Sequence, residues 1–170
     1  MAMNVEYNNP LIAFVKSRIQ HYNHNKYWRY RESVVRPASG AKKVINLFRL
    51  MYIKRCDAFN NASMGTDLGR GAKFKTIPIF PHGINGIIIS PDAIIGANCR
   101  IYHQVTIGND DCDVNNVPVI GDNVTIYPGA KIVGKVRIGN NVRIGTNAVV
   151  VEDIPDNSLA LAPKARIIIK

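Results

Sequence analysis

The sequence predicts an all-β fold, a left-handed parallel β-helix, with a short α-helical segment in front of it. A large apolar residue recurs at every sixth position through Ile89–Ile107 and again through Ile120–Val150. A small or β-branched residue stands two positions before each of them, from Ile87 to Ala148. A period of six fits neither an α-helix nor an open sheet. It indicates one flat side of a three-sided coil of about eighteen residues.

The spacing also explains how such a coil closes and why it is stable. The large apolar residues point inward, the small ones fill the corners, and glycine or asparagine supplies the positive φ of tight corners. One coil buries too little to fold alone, so stability comes from stacking about five coils. The 170 residues, 46% of them apolar, are expected to form a helical segment over 1–60 and a β-helix over 61–170.

Two helices are predicted in the first sixty residues. Asn9-Pro10 precedes the apolar stretch 11–19, and a cap followed by proline is a helix-start signal. A second amphipathic helix is predicted over 42–56. Its apolar residues recur at helical spacing and are Val44, Leu47, Phe48, Met51 and Cys56. The aromatic-rich stretch 21–35 between them is either a helix or an aromatic-rich surface, and we expect it to pack against the rest of the trimer.

The formal charge of +10 narrows the classes of partner. Eleven of the 22 lysines and arginines lie within 16–55, whereas the repeats are nearer to neutral. The favoured interpretation is a solvated helical face; an acidic glycan, a lipid diphosphate or a membrane surface remains an alternative partner. No nucleic-acid motif occurs, so no nucleic-acid partner is expected.

The sequence also indicates the cellular compartment of the protein and the state of its cysteines. No apolar run reaches the length of a membrane span, and the first residues are polar, so we expect a cytoplasmic protein without a transmembrane segment. The three cysteines, Cys56, Cys99 and Cys112, form no CxxC pair and are expected to be free thiols.

The six-residue period is interrupted twice, and such loops are where repeat proteins usually carry their chemistry. Counting back from Phe80 gives Phe74 and Leu68 as further inward residues, and three residues are inserted between Phe80 and Ile89. The thirteen-residue step from Ile107 to Ile120 predicts a protruding loop.

A histidine and an aspartate near the first interruption suggest a catalytic pair. Activation of a hydroxyl for attack on a carbonyl carbon needs a base, a group that orients the base, and donors for the oxyanion. His82 lies in the insertion and Asp67 stands fifteen residues before it, slightly less than one coil. We therefore expect Asp67 to orient His82 from an adjacent turn, with His82 as the general base.

His103 is the second histidine of the repeats. It follows Ile101 by two residues, as His82 follows Phe80, and the two histidines are 21 residues apart. That distance is one coil plus the insertion, so the imidazoles should stack on one side of the β-helix. We expect His103 to contact the substrate.

Over residues 66–168 the sequence resembles the serine acetyltransferase family. The resemblance lies in the stretch from DLGRGAKFK through PHGING to IYHQVTIGN, and in the stretch from VIGDNVTIYPGAKI to APKARII. It implies this β-helix, a homotrimer, and acetyl-CoA bound in a cleft between coils. By position, His82 matches the family's catalytic base and Asp67 matches the aspartate that orients it.

The same resemblance implies contacts for acetyl-CoA, the one cofactor or co-substrate expected. The family uses backbone groups of the coils and a basic C-terminal strand. The matching positions here are Gly108, Asn109, Ala130, Thr146, Lys164 and Arg166, the last two near the phosphates. Ala130 fits a corner-filling role equally well.

Three departures from the family bear on the acceptor. Serine enzymes have an aspartate directly before the catalytic histidine and an Arg-His pair in the second loop, where this chain has Pro81, Asn116 and Val117. A site without those charges would bind serine poorly. The sequence also resembles the polysaccharide branch, the colanic-acid and capsular O-acetyltransferases. We therefore expect a sugar or polysaccharide-precursor hydroxyl as acceptor, contacted by His103, Asn116 and Val117.

Three alternatives remain. The first is a serine O-acetyltransferase of cysteine biosynthesis, and the second is a non-catalytic β-helix scaffold or binding module. The third, a γ-type carbonic anhydrase, requires three histidines for its metal. Only His82 and His103 lie in the repeats, so no metal is expected.

Overall fold

A computed structural model describes residues 10–110, 112–113 and 116–169 of the chain. Three helices come first: α1 (Pro10–Ile19), α2 (His24–Val34) and α3 (Gly40–Phe59). A left-handed parallel β-helix follows, so the predicted fold class is confirmed. The expected boundary near residue 60 falls in the turn between α3 and the first strand. Within the described residues, none of the helices has the length and apolarity that a membrane span requires.

The β-helix consists of very short strands. In chain order they are β1 (Ser63–Met64), β2 (Thr66–Asp67), β3 (Arg70–Gly71), β4 (Lys73–Phe74), β5 (Pro81–Ile84), β6 (Ile88–Ile89), β7 (Ile94–Ile95), β8 (Arg100–Ile101), β9 (Thr106–Gly108), β10 (Val119–Ile120), β11 (Thr125–Ile126), β12 (Lys131–Val133), β13 (Arg137–Ile138), β14 (Arg143–Ile144), β15 (Val149–Val150) and β16 (Leu159–Ala160).

Parallel pairing sorts these strands into three faces. The first face is β1-β6-β9-β12-β15, the second is β4-β7-β10-β13, and the third is β8-β11-β14-β16. Successive strands of the chain pass from face to face, and each coil returns to the face where it began. Ile126 therefore lies opposite Ile144, eighteen residues later.

The core is the column of inward side chains that the sequence predicted. All ten are buried: Ile89, Ile95, Ile101, Ile107, Ile120, Ile126, Ile132, Ile138, Ile144 and Val150. The residues two positions before them, from Ile87 to Ala148, are buried as well. The strands of the three faces are only two or three residues long, so this stacked column supplies most of the apolar burial.

Asparagine and glycine have different structural roles at the corners. Asn98, Asn123, Asn141 and Asn157 have positive φ, and their side-chain amides form a ladder with N···O distances of 3.3, 3.2 and 3.0 Å. The glycines that follow inward isoleucines lack positive φ. Most of them are needed because successive coils approach closely: a Cβ on Gly121, for example, would lie 2.7 Å from the Gly139 carbonyl carbon.

Both interruptions of the repeat are accommodated as loops. Ile79 pairs with Arg100, 21 residues on, so the three extra residues after Phe80 bulge out without breaking the stack. Ile107 pairs with Ile132, 25 residues on, which absorbs seven extra residues in the second loop. The register of the core is unchanged on either side.

The start of the repeat differs from the prediction. Leu68 is not an inward residue: it is exposed at the tip of an antiparallel hairpin formed by β2 and β3. The first coil begins instead with Met64, which is fully buried and lies opposite Ile89. Counting back in sixes fails here because the hairpin adds residues between Met64 and Phe74.

Helix α2 covers the open end of the β-helix. Trp28 stacks on Phe80 with ring centroids 6.0 Å apart and meets Phe74 edge-on at 5.0 Å. Buried Arg31 donates to the carbonyl oxygens of Met64 and Ala72, at 3.1 and 2.8 Å. The aromatic stretch is thus a helix, and it packs on the β-helix of its own chain; packing within a trimer remains a prediction.

Helix α3 forms where predicted, but its orientation differs from the prediction. Asn46, Ile53, Cys56 and Asp57 face the interior, whereas Val44, Leu47, Phe48 and Met51 are exposed. Only Cys56 of the predicted apolar face is buried. The polar Asn46 is buried because it donates to the Ser33 carbonyl at 2.8 Å and accepts from the Ser33 hydroxyl.

Asp57 is a buried carboxylate between α3 and α2. Its Oδ1 accepts from the Tyr27 hydroxyl at 2.7 Å, and its Oδ2 has no hydrogen-bond partner among the described residues. Burial raises the pKa of Asp57 to about 6; the hydrogen bond from Tyr27 and the charges of Lys54 and Arg31 offset only part of this.

The three cysteines are free thiols, as predicted.

Replacing Gly121 by alanine should destabilise the fold by about 1–3 kcal/mol, because the new methyl group collides with the next coil. Gly108 is a matched control, since it also follows an inward isoleucine but its Cβ would meet only Thr106 Cγ2, at 3.8 Å. Gly108→Ala should change the free energy of unfolding by less than about 0.5 kcal/mol. Denaturant titration monitored by circular dichroism measures both, and equal losses would contradict the close-approach explanation.

Asp57→Asn should stabilise the protein at neutral pH but not in acid. The folded carboxyl binds its proton more tightly than the unfolded one. Its contribution to stability is therefore present below about pH 4 and is lost as the pH rises through about 6. The Tm advantage of Asp57→Asn over wild type should increase between about pH 4 and pH 6. The corresponding change in the free energy of unfolding is on the order of 2–3 kcal/mol. Glu152→Gln, an exposed acid, is the control, and a difference independent of pH would contradict the prediction.

Candidate active site

The three faces define three corners, and these organise the candidate residues. The first corner joins the first face to the second and includes 65–72 and 109–118. The second corner joins the second face to the third. The third corner joins the third face back to the first and includes 81–87 and 102–105.

The two histidines of the repeats meet at the third corner. The rings of His82 and His103 have centroids 5.4 Å apart and lie edge to face. The predicted proximity is therefore observed, although the rings do not stack in parallel. His82 is exposed and His103 is half-buried, so an imidazole with access to solvent stands beside a second one. This arrangement suits proton transfer to or from a bound ligand.

Two tyrosines extend this histidine pair along the corner. The Tyr102 ring lies 5.7 Å from His82 and stacks on Tyr127 at 5.4 Å. Neither tyrosine was predicted from the sequence. Tyr102 directly follows Ile101 and Tyr127 directly follows Ile126, and these two inward isoleucines lie opposite each other on adjacent coils. The register of the repeat would therefore have predicted that the two tyrosines are neighbours.

His103 has one unsatisfied ring nitrogen. Its Nδ1 is buried and has no hydrogen-bond partner among the described residues. A buried polar atom left unpaired costs about 1–3 kcal/mol. A partner from outside the described part of the chain, either a ligand or a second chain, would recover that energy.

Asp67 lies at the first corner, in the β2–β3 hairpin. Its Oδ1 is 3.4 Å from Lys54 Nζ, and both side chains are about half exposed. In the described structure no hydrogen bond joins Asp67 to His82. The hairpin follows the first face whereas His82 follows the third, so the two lie at different corners. Their catalytic pairing remains a prediction.

Asn116 and Val117 also lie at the first corner, at the end of the long loop. The Asn116 amide nitrogen donates to the Asp110 carboxylate at 3.1 Å and is therefore used within the loop. Val117 lines an open groove of about 1110 Å³ between α2 and the second face. Residues 111, 114 and 115 of the loop lie outside the described residues.

This groove is basic, and three of its six lysine and arginine side chains form ion pairs. Arg36 contacts Glu32 at 2.5 Å, Lys75 contacts Asp122 at 2.7 Å, and Arg70 is bonded to Asp92. Arg29 and Lys73 also line it, together with Trp28 and Phe74. Sequence analysis did not predict this groove because it depends on how α2 packs over the first coil.

The predicted acetyl-CoA contacts are spread over two corners. Gly108 and Asn109 begin the first-corner loop, whereas Ala130 and Thr146 lie at the third corner. Ala130 is fully buried, and its N–H and carbonyl already bond Tyr127 and Thr106, so the structure favours a corner-filling role for it. Thr146, Lys164 and Arg166 are exposed. None of these cofactor roles is tested by the arrangement within one chain.

The described part of the chain brings together no group of three or more histidine, cysteine or acidic side chains able to hold a metal ion. The expectation that the protein uses no metal stays a prediction.

Comparison with known proteins first defines the class of repeat. Residues 118–151 match the family model for the bacterial transferase hexapeptide, six repeats. This match covers the most regular part of the β-helix, from β10 to β15. The repeats are thus of the kind found in bacterial transferases.

Relatives then narrow the similarity. Over 107 residues the chain is 37% identical to a serine acetyltransferase of Helicobacter pylori strain J99, and the alignment covers 62% of each chain. The structure also resembles serine acetyltransferase from Neisseria gonorrhoeae, with a TM-score of 0.57, 26% identity, and coverage of 94% of this chain and 53% of that chain. A third structure, from Brucella abortus strain S19 in complex with coenzyme A, gives 0.61 and 22%, with coverage of 89% and 53%.

These comparisons support the serine acetyltransferase part of the predicted resemblance and give no support to its polysaccharide branch. The chain spans about three fifths of the length of its Helicobacter pylori relative. Similarity at this level establishes the fold and the type of repeat.

Proposed function

We propose that this protein is an acetyl-CoA-dependent O-acetyltransferase in which His82 removes the proton of the acceptor hydroxyl. The observation that carries this proposal is the His82–His103 pair, 5.4 Å apart at an open corner of a transferase-type hexapeptide β-helix. The similarity to serine acetyltransferases supports the same reaction type.

His82 accepts the hydroxyl proton as the acceptor oxygen bonds to the carbonyl carbon of the thioester. The tetrahedral intermediate collapses by breaking the carbon–sulfur bond, and the imidazolium returns its proton to the departing thiolate. The partly buried His103 ring, with its free Nδ1, is suited to hydrogen-bond the acceptor. A carboxylate beside His82 would stabilise the imidazolium between these steps.

A homotrimer would supply that carboxylate. In a closed three-fold ring each chain uses two different surfaces, so the third corner of one chain can meet the first corner of the next. Asp67, Asn116 and Val117 lie at the first corner and His82 at the third. The first face lies between these corners, and its outward Ile88 and Val149 are exposed apolar residues suited to an interface.

The comparisons favour L-serine as the acceptor over the sugar hydroxyl that sequence analysis favoured. A sugar remains the second candidate because Pro81, Asn116 and Val117 stand where serine enzymes carry charged contacts. In addition, the Asn116 amide is already used by Asp110. The groove cations Arg29 and Lys73 are alternative partners for a serine carboxylate.

Acetyl-CoA is the proposed acyl donor, in keeping with the relative crystallised with coenzyme A. Lys164 and Arg166, exposed near the C-terminus, are the proposed phosphate contacts. Gly108, Asn109 and Thr146 are the proposed contacts along the coils.

The acceptor can be identified by measuring thiol release from acetyl-CoA with L-serine and with a panel of sugars and nucleotide sugars. We expect kcat/KM for L-serine to be at least about tenfold higher than for each sugar. The loss of a few polar contacts to serine would be enough to reverse this preference. A higher kcat/KM for a sugar would select the second candidate. Absence of thiol release with every acceptor, from protein that binds acetyl-CoA, would contradict the transferase proposal and favour a scaffold.

The same assay tests the base. His82→Ala should lower kcat by about 10²- to 10⁴-fold while the molecular mass in solution stays that of the wild type. His21→Ala, an exposed histidine outside the β-helix, is the control and should keep wild-type activity.

A further inference from the structure

The outward face of α3 is apolar and exposed. Val44, Leu47, Phe48 and Met51 follow one another at helical spacing, which places them on one side. They are 56%, 49%, 66% and 61% exposed, whereas Asn46 and Ile53 on the opposite side are fully buried. The helix is therefore anchored by one face and presents the other to the surroundings. A contiguous apolar surface of this kind marks a docking site.

Basic side chains border this face. By helical spacing, Lys43 and Lys54 lie along the edge next to Leu47, and Arg55 continues the same stripe one turn after Met51. All three are exposed, although Lys54 also lies 3.4 Å from Asp67 Oδ1, so Lys43 and Arg55 carry most of this border. Long basic side chains beside an apolar stripe can keep their charges in water or at phosphates while their stems cover apolar surface.

The charge of most of the helical segment is one-sided. Residues 16–55 contain eleven lysines and arginines and a single acid, Glu32. Glu32 is already paired with Arg36 at 2.5 Å. A second copy docked on the same face would oppose like charges, which disfavours self-association there. An anionic surface is complementary to both the stripe and its border.

A second apolar element ends beside α3. Phe14, Val15 and Ile19 of α1 are 56%, 45% and 69% exposed. His21, two residues after the end of α1, packs on Phe59 at the end of α3, with ring centroids 4.1 Å apart. The exposed apolar surface is thus not confined to one helix.

We propose that α3, with α1 beside it, docks the protein on an anionic lipid bilayer. The Val44–Met51 stripe enters the boundary between headgroups and acyl chains, and the basic side chains contact lipid phosphates. Neither helix crosses the bilayer. The proposal is independent of the acetyl acceptor.

Flotation with lipid vesicles tests the proposal. Wild-type protein should float with vesicles of phosphatidylcholine containing about 30% phosphatidylglycerol and not with phosphatidylcholine alone, and binding should fall as salt is raised. Phe48→Ser combined with Met51→Ser should abolish flotation. Lys43→Glu should weaken it at least fivefold, since each basic residue near an anionic surface contributes about fivefold. Lys135→Glu, the same charge change on the β-helix, should have a smaller effect.

Two measurements without lipid complete the test: circular dichroism shows whether each variant folds, and light scattering gives its molecular mass. If the double serine variant does not fold, a blue shift of Phe48→Trp emission with anionic vesicles, absent with neutral ones, supports the proposal. Equal binding to both vesicle types, or binding to neither, would overturn it. So would a lower molecular mass of the folded double variant in the absence of lipid, because that would show a second copy covering the face.

Discussion

The inward column of apolar side chains at every sixth residue is the constraint on which the rest of this structure depends. Each isoleucine of the column lies over another one coil away, as Ile126 lies over Ile144. That stacking fixes three faces and therefore three corners. Because the strands of the three faces are only two or three residues long, the chain has little freedom in which corner a given residue occupies. The place of a candidate functional residue follows from its position relative to the column.

Most of the β-helix was predictable for this reason. A register defined by burial alone carries through both insertions, so the neighbours Ile107 and Ile132, and the adjacency of His82 and His103, follow from counting along the sequence. The stacked asparagines are a local consequence of the same geometry, because Asn98 and Asn123 both need positive φ at a corner.

The parts that sequence did not reveal are those where the period gives no information. Leu68 has the right spacing and residue type but lies in a hairpin, because nothing in its own sequence distinguishes an inserted hairpin from a coil corner. Helix α3 was predicted, yet its buried side is chosen by contacts of Asn46 and Asp57 with α2. Apolar spacing alone pointed to the opposite side. The basic groove at the first corner likewise depends on tertiary packing.

The corners also explain how one repeat can support both structure and the proposed chemistry. The second corner is occupied by the asparagine ladder and serves the fold. The first and third corners carry the loops, the hairpin with Asp67, and the histidine pair. Because Asp67 and His82 are at different corners of one chain, the proposed catalytic pair would form between two chains of the proposed ring. The His103 Nδ1, which has no hydrogen-bond partner in the part of the chain that the structure describes, is consistent with a site completed by a neighbour or a ligand.

Subunit mixing tests this shared site most directly. Chains carrying His82→Ala and chains carrying Asp67→Ala, each inactive alone, are unfolded together in equal amounts and refolded, and mixed trimers are verified by native mass spectrometry. If the pair forms between chains, a wild-type His82 meets a wild-type Asp67 at about a quarter of the interfaces, and about a quarter of the wild-type activity returns. If the verified mixed trimers stay as inactive as the separate variants, the site is not shared in this way.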